Sequence, residues 1–428
     1  MGSAEKIIKY IDDNKNQSID FLRKMVNFDS SFTEQGKYGK EREIQNWLAS
    51  ILEKEGFTTR LFEPNNSNLS KYPDYNPNHN YDGRPNLVAT LKGSGAGKSL
   101  ILNGHVDTVP IGELSKWTYG PWDGEIKNGK MYGRGTADMK GGLAATILSA
   151  IYLKRIGLEL EGDLIIQSVV DEEGGGNGTL SCVDEGYTAD AAIVAEPTNL
   201  EIQPIGRGVL LLQIDIIGKS SHAAFKWDGV NAIEKALKIN RGLEDLEHNW
   251  LANKNNPLFP SPTINLGVIE GGTEAPIVPN HCTVKYDIKY LPIEVDTDGN
   301  EVKKNGEQIK KEVENHIYNI CESDEWLKEN PPSLNWYLHV MPHNTNSSHE
   351  LVSIAKSSTE ELFGTSKVSG LRSGSDARHL LNTGKVPTIV FGPGSMREAH
   401  TIDENISLDD YINGIKAMAI TIINWMGK

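Results

Sequence analysis

The run Leu164-Ile165-Ile166-Gln167-Ser168-Val169-Val170 has five apolar positions out of seven and no alternation of apolar with polar. A strand of that composition must be covered on both faces, as in a sheet sandwiched between helices. Runs of strand length recur at 86–92, 99–104 and 190–195, and helical apolar spacing appears at 5–26, 41–56 and 143–156. Gly56 is placed to stop the second of these helices. Strands alternating with helices predict an α/β domain with a mostly parallel central sheet.

Near residue 205 the pattern changes. Strands at 209–217, 263–270, 281–290 and 333–341 and helices at 230–247 and 306–321 follow in the order β-α-β-β-α-β. That order is the ferredoxin-like α+β pattern, complete as a small domain. A helix at 348–363 and a strand at 387–391 then resume the first style. The expected organisation is therefore one α/β domain from 1–204 and 343–428, interrupted by an inserted domain at 205–342. A length of 428 residues accommodates two such cores. The Asn-, Pro- and Tyr-rich stretch 64–86 is expected to be an irregular surface excursion.

With 43 basic against 58 acidic residues the net charge is −15. Such a surface repels phosphate backbones, so nucleic acid is not an expected partner. No apolar run approaches the ~18 residues of a membrane span, and the N-terminus lacks the apolar stretch of a signal peptide, which points to the cytoplasm. Cys182, Cys282 and Cys321 lie far apart with no metal-type spacing, and read as reduced structural thiols.

The chemistry gathers where apolar runs stop. His105 and Asp107 follow the run at 99–104, Glu172 and Glu173 follow 163–170, and Glu196 follows 190–195. Asp138 and His400 stand in glycine-containing turns. Imidazoles with carboxylates, and no nearby cysteine, form the donor set of a hydrolytic metal site. A pair of ions would need few neutral ligands and several anions, one of them shared. Asp107 can accept the free ring N–H of His105 and fix its tautomer. Glu172 and Glu173 are adjacent, so their side chains diverge; one can bind metal while the other serves as general base.

The segments "NGHVDTVP", "GRGTADMKGG", "VVDEEGGG", "AEPT" and "GPGSMREAHTIDE" closely resemble the binuclear-zinc amidohydrolases that include acetylornithine deacetylase, succinyl-diaminopimelate desuccinylase, aminoacylase and glutamate carboxypeptidase. The resemblance runs over essentially the whole chain. It implies two Zn2+ ions, with Co2+ or Mn2+ as possible substitutes. His105, Asp138 and Glu196 match the ligands of one ion; Asp138, Glu173 and His400 match those of the other, with Asp138 bridging. Glu172 matches the catalytic base and Asp107 the residue that orients His105. A cis peptide is implied at Asp138-Met139. His222 matches a histidine of the inserted domain that reaches the partner subunit's active site and stabilises the oxyanion, which implies a homodimer joined through these lid domains.

Arg378, with Ser375 in "GSDAR", matches the residue that grips a substrate α-carboxylate, a task suited to the guanidinium fork. Two positions depart from the family. Pro276 stands where an asparagine is common and cannot donate an amide hydrogen bond. Lys289 stands where an arginine is common, keeping the charge and losing the fork. Glu196 and the "DIKYLP" and "FGPGS" contexts resemble the acetylornithine deacetylase and desuccinylase branch, with aminopyrimidine deformylases close by. The expected reaction is hydrolysis of an amide in a small N-acyl amino acid or related N-acyl amine. A bridging water acidified from pKa ~16 toward ~7 would attack, with Glu172 as base. Dipeptidase, carboxypeptidase and N-formyl-aminopyrimidine deformylase activities are alternatives within the same mechanism. The segment Lys92–Ser99 resembles a phosphate-binding loop but has Lys92 at the first glycine position and a strand rather than a helix after it.

Overall fold

The computed structural model describes residues 2–32, 39–95, 97–295 and 300–427. The chain divides into two compact units, Met1–Ile205 with Asn344–Leu371 and Ser375–Lys428, and Gly206–His343 with Arg372–Gly374.

In the first unit the sheet runs in the order Thr58–Phe62, Asn86–Leu91, Leu164–Val169, Leu100–His105, Ala191–Val194, Thr388–Val390, Ile202–Gly206 and His343–Asn344, with Val368–Leu371 paired to Ile202–Gly206. The four central strands are parallel. Their neighbours Asn86–Leu91 and Ile202–Gly206 run antiparallel to them, so the parallel character belongs to the centre of the sheet. Every residue of Leu164–Val169, Leu100–His105 and Ala191–Val194 is buried, as a sheet covered on both faces requires. The register sets His105 level with Val169 and Asn103 level with Val194. Three strands therefore end along one edge, and His105, Glu172, Glu173 and Glu196 follow from those ends. Open α/β sheets bind their ligands at that edge.

Helix Lys140–Arg155 begins two residues after Asp138 and is buried along nearly its whole length. Its first turn carries Gly141 and Gly142 for a steric reason. A Cβ on Gly142 would lie 1.8 Å from the carbonyl oxygen of Ala195, so the helix touches the end of the neighbouring strand backbone to backbone. Helix Leu408–Met426, which the apolar pattern did not reveal, packs against Lys140–Arg155. The helix expected at 5–26 is two, Ser3–Asp13 and Lys15–Val26, broken at Asn14. The Asn14 amide bonds the Tyr10 carbonyl at 2.8 Å and competes with continuation of the helix. Most of 64–86 is irregular apart from the short helix Asn66–Leu69.

The second unit has strands Gly208–Ile217, Thr263–Gly271, His281–Tyr290 and Ser333–Val340 and helices Ala232–Asn253 and Gly306–Glu322. The sheet is antiparallel, with the third strand in sequence between the second and the first, and the fourth on the far side of the first. This is the ferredoxin-like order. Leu210, Leu212, Ile214 and Ile216 alternate with less buried residues and join Cys282, Val284, Tyr286 and Ile288 in a core under the two helices. Asn231 and Asn305 cap those helices through their side chains.

All three cysteines are buried and unbridged. Lys98 pairs with Glu350, and strand Leu100–His105 follows the Lys92–Ser99 segment, whose Ala96 lies outside the described residues. Among the described residues no helix is long and apolar enough to cross a membrane.

Candidate metal centre

Asp138 is the hub of the site. Its Oδ1 lies 3.2 Å from Nε2 of His105 and its Oδ2 lies 3.4 Å from Nε2 of His400, so one carboxylate faces two imidazoles. Glu173 Oε1 lies 2.9 Å from the same His400 nitrogen. Ligand atoms of His105, Asp138 and Glu173 fall within 4.8 Å of one another, and so do those of His105, Glu172 and Glu196. The structure thus brings His105, Asp138, Glu172, Glu173, Glu196 and His400 together.

Local bonds hold these groups in place. His105 Nδ1 lies 2.8 Å from the carbonyl oxygen of Asp107 and 3.6 Å from its carboxylate. The ring N–H therefore goes to the Asp107 main chain, where a carboxylate contact was expected. The carboxylate instead accepts the backbone N–H groups of Glu172 at 3.3 Å and Glu173 at 3.1 Å, tying the first loop to the second. Asp138 is anchored by Glu404, which accepts the amides of Ala137 and Asp138 at 2.9 and 3.0 Å and pairs with Arg134 at 2.7 Å. The Asp138-Met139 peptide is cis. His400 stands on a loop with a left-handed backbone, φ 61°.

The electrostatics ask for a cation. Burial, the Asp376 charge and the neighbouring carboxylates push Glu172 well above the usual carboxylate range. Burial and Asp138 do the same to Glu196. Glu173 is pushed up to about 7 by burial and Asp138. Burial opposes the charge on His105, but the Asp138 hydrogen bond and the surrounding acids hold its proton well above the ordinary histidine range. His400 is pushed up to about 10 by its bonds to Asp138 and Glu173. Burial would raise Asp138, yet the two imidazoles hold it well below its usual value. Four carboxylates, Asp138, Glu172, Glu173 and Glu196, share two imidazoles, an anionic excess that fits divalent cations bound through oxygen and nitrogen.

Of the other expected residues, Ser375 and Arg378 belong to the same unit and His222 and Lys289 to the second. Arg378 is 4% exposed and donates to the carbonyls of Ser375 at 3.0 Å and Gly175 at 2.7 Å. The Ser375 side chain is buried beside it. Lys289 pairs with Asp287 of its own strand at 3.1 Å. His222 is exposed, and its Nδ1 accepts the Ala224 amide at 3.1 Å. Sequence reasoning missed Arg134 and Glu404. The latter closes the "HTIDE" segment, and its position four residues after His400 was the one available signal.

The model of peptidase family M20/M25/M40 matches residues 101–424. An N-formyl-4-amino-5-aminomethyl-2-methylpyrimidine deformylase from Halalkalibacterium halodurans is 32% identical over 445 residues, covering 98% of this chain and 97% of that protein. A probable succinyl-diaminopimelate desuccinylase from Staphylococcus epidermidis is 28% identical over 360 residues, covering 78% and 84%. Among solved structures, a di-peptidase from Saccharomyces cerevisiae has a TM-score of 0.75 at 16% identity, covering 100% of this chain and 99% of its own. A tripeptidase from Staphylococcus aureus has a TM-score of 0.72 at 22% identity, covering 96% and 98%. These two show the fold. With the family matched over most of its length, the chain is an amidohydrolase that belongs to peptidase family M20/M25/M40.

Proposed function

We propose that the chain removes the formyl group from a small N-formyl amine of the aminomethylpyrimidine type, releasing formate and the free amine. The observation that carries this choice is Arg378, whose guanidinium is buried against two backbone carbonyls rather than open to a carboxylate. The change at Lys289 and the absence of an amide donor at Pro276 weaken carboxylate recognition in the same direction. Each of the three residues, taken by itself, suits a substrate without an α-carboxylate better than an N-acyl amino acid. The similarity to a deformylase across 98% of the chain supports the same reading.

His105, Asp138 and Glu196 would hold one divalent cation and Asp138, Glu173 and His400 a second, zinc being the first choice for this donor set. Such ions supply a water of lowered pKa and polarise the amide carbonyl. Glu172 takes a proton from the attacking water as the C–O bond forms. It returns that proton to the nitrogen as the C–N bond breaks, so the amine leaves neutral. His222 is the residue to stabilise the oxyanion from a second copy of the chain. Exposed Phe225 and Trp227, and Ile277 bridged to His222, support a dimer formed through the second unit.

The test is amine release from a metal-supplemented panel: N-formyl aminomethylpyrimidines, N-formyl, N-acetyl and N-succinyl amino acids, and dipeptides. Preference for the formylated pyrimidine is expected. Preference for any α-carboxylate substrate would overturn the assignment, and no turnover with two metals bound would overturn the enzyme. Sedimentation of the native protein tests the dimer.

A further inference from the structure

The excursion at 64–86 meets the catalytic turn at the residue before the base. Asp171 is fully buried and left-handed, φ 69°, and its carbonyl accepts the amides of Gly175 at 3.0 Å and Gly176 at 2.6 Å. Its carboxylate is held by donors from a single stretch of chain. His79 Nδ1 lies 2.8 Å from Oδ1, the Tyr81 hydroxyl donates to Oδ2 at 2.6 Å, and Arg84 Nη1 stands 3.8 Å from Oδ1.

The donors are themselves fixed. Arg84 pairs with buried Glu41 at 2.6 Å. Asn177 donates to the Tyr81 hydroxyl and to the Asn76 carbonyl, both at 2.7 Å. The Asn76 amide lies 3.3 Å from His79 Nε2, which sets the tautomer with hydrogen on Nδ1, and donates to the Gly174 carbonyl at 2.6 Å. The turn is thus stapled at Asp171 and at Gly174, on either side of Glu172 and Glu173.

We propose that the Asn76–Arg84 stretch is a positioning element for the reaction: His79, Tyr81 and Arg84 grip the Asp171 carboxylate and thereby set where Glu172 and Glu173 stand. Asp107 holds the amides of those two glutamates from the strand side, so the excursion supplies the opposing grip. An irregular segment could cover the sheet with apolar side chains; a fully connected buried polar network instead specifies one geometry. This positioning role presupposes Glu172 as base and Glu173 as ligand.

The experiment compares His79→Ala, His79→Asn, Tyr81→Phe and Tyr75→Phe with the native holoenzyme at saturating zinc. Tyr75 is a control within the same excursion, since its hydroxyl donates to Asn66 at 3.0 Å and does not reach Asp171. For His79→Ala and Tyr81→Phe, kcat should fall about 10- to 100-fold, with KM within about threefold and full metal occupancy. His79→Asn, whose amide N–H can replace Nδ1–H, should recover part of the loss, and Tyr75→Phe should match the native protein. Equal kcat in Tyr81→Phe and Tyr75→Phe, or no recovery in His79→Asn, would overturn the proposal. Tyr81→Phe removes one oxygen and keeps the test open should His79→Ala not fold. If the native chain cleaves no amide, the assigned reaction fails on its own. The grip is then read from zinc titration, where about a tenfold weakening in Tyr81→Phe supports it and native affinity overturns it.

Discussion

His105 and His400 flank one carboxylate from opposite sides and are built in opposite ways. His105 ends a buried strand, is 1% exposed, and has its second ring nitrogen bonded to the Asp107 carbonyl. His400 stands on a loop, with half its side chain exposed, and its ring meets Glu173 and Asp138. The buried side is formed with the sheet itself, whereas the loop side needs its ligand contacts to stay put. One half of the centre is thus a product of folding and the other a product of binding, which predicts two cation positions of unequal affinity.

The sharpest probe is chemical. Glu172 lies beside His105 and Glu196; as the proposed base and not a ligand, its replacement in Glu172→Ala should cost roughly 10²- to 10⁴-fold in turnover while metal content, read by elemental analysis, stays nearly intact. Metal loss instead would place Glu172 among the ligands and Glu173 in the role of base. Next, Glu404→Ala would leave Arg134 buried without its partner and release the Ala137 and Asp138 amides. Loss of one member of such a buried pair costs about 3–5 kcal/mol, readable by urea denaturation, and both cation positions should weaken with Asp138. The comparison itself is tested by His105→Ala against His400→Ala. His400→Ala should retain about one cation per chain with the other weakened roughly 10- to 100-fold; His105→Ala should lose both. Equal losses would break the asymmetry.

The smallest effect is in pH. His400 keeps a proton up to about 10 through its carboxylate partners, and Glu173 keeps one up to about 7. A cation must displace both, so affinity rises with pH, by up to tenfold per unit for each proton released. At the position formed by Asp138, Glu173 and His400, one proton, from His400, is due between pH 7 and about 10 and a second, from Glu173, is added below about 7; filling the other position adds the protons that His105 and Glu196 hold. Calorimetry in buffers of different ionisation enthalpy counts them; no proton release at pH 7 would contradict the charge state of His400.

What the sequence revealed follows the same division. His105, Glu172, Glu173 and Glu196 were legible because each polar residue follows an apolar run, and the parallel register then aligns them without further information. The inserted unit was legible because Gly208–Ile217 and His281–Tyr290 alternate cleanly. Helix Leu408–Met426 escaped because it is apolar nearly all round and shows no single stripe, though Ser407 caps it and Asp409 and Asp410 open it. The His79–Asp171 contact spans 92 residues and joins an irregular segment to a turn, so no periodicity announces it. Arg378 was legible as a residue but not as a bonding state, because carbonyl partners leave no mark in the sequence.

The contact between Gly142 and Ala195 carries one more implication. Asp138 precedes that helix turn and Glu196 follows that carbonyl, so the distance between two of the proposed ligands is gauged by main chain against main chain, with no side chain in between. Side chains can rotate to absorb an error in spacing; two abutting backbones cannot. A single methyl group at position 142 would act as a shim, prying the two donors apart at their roots while leaving every donor atom in the sequence.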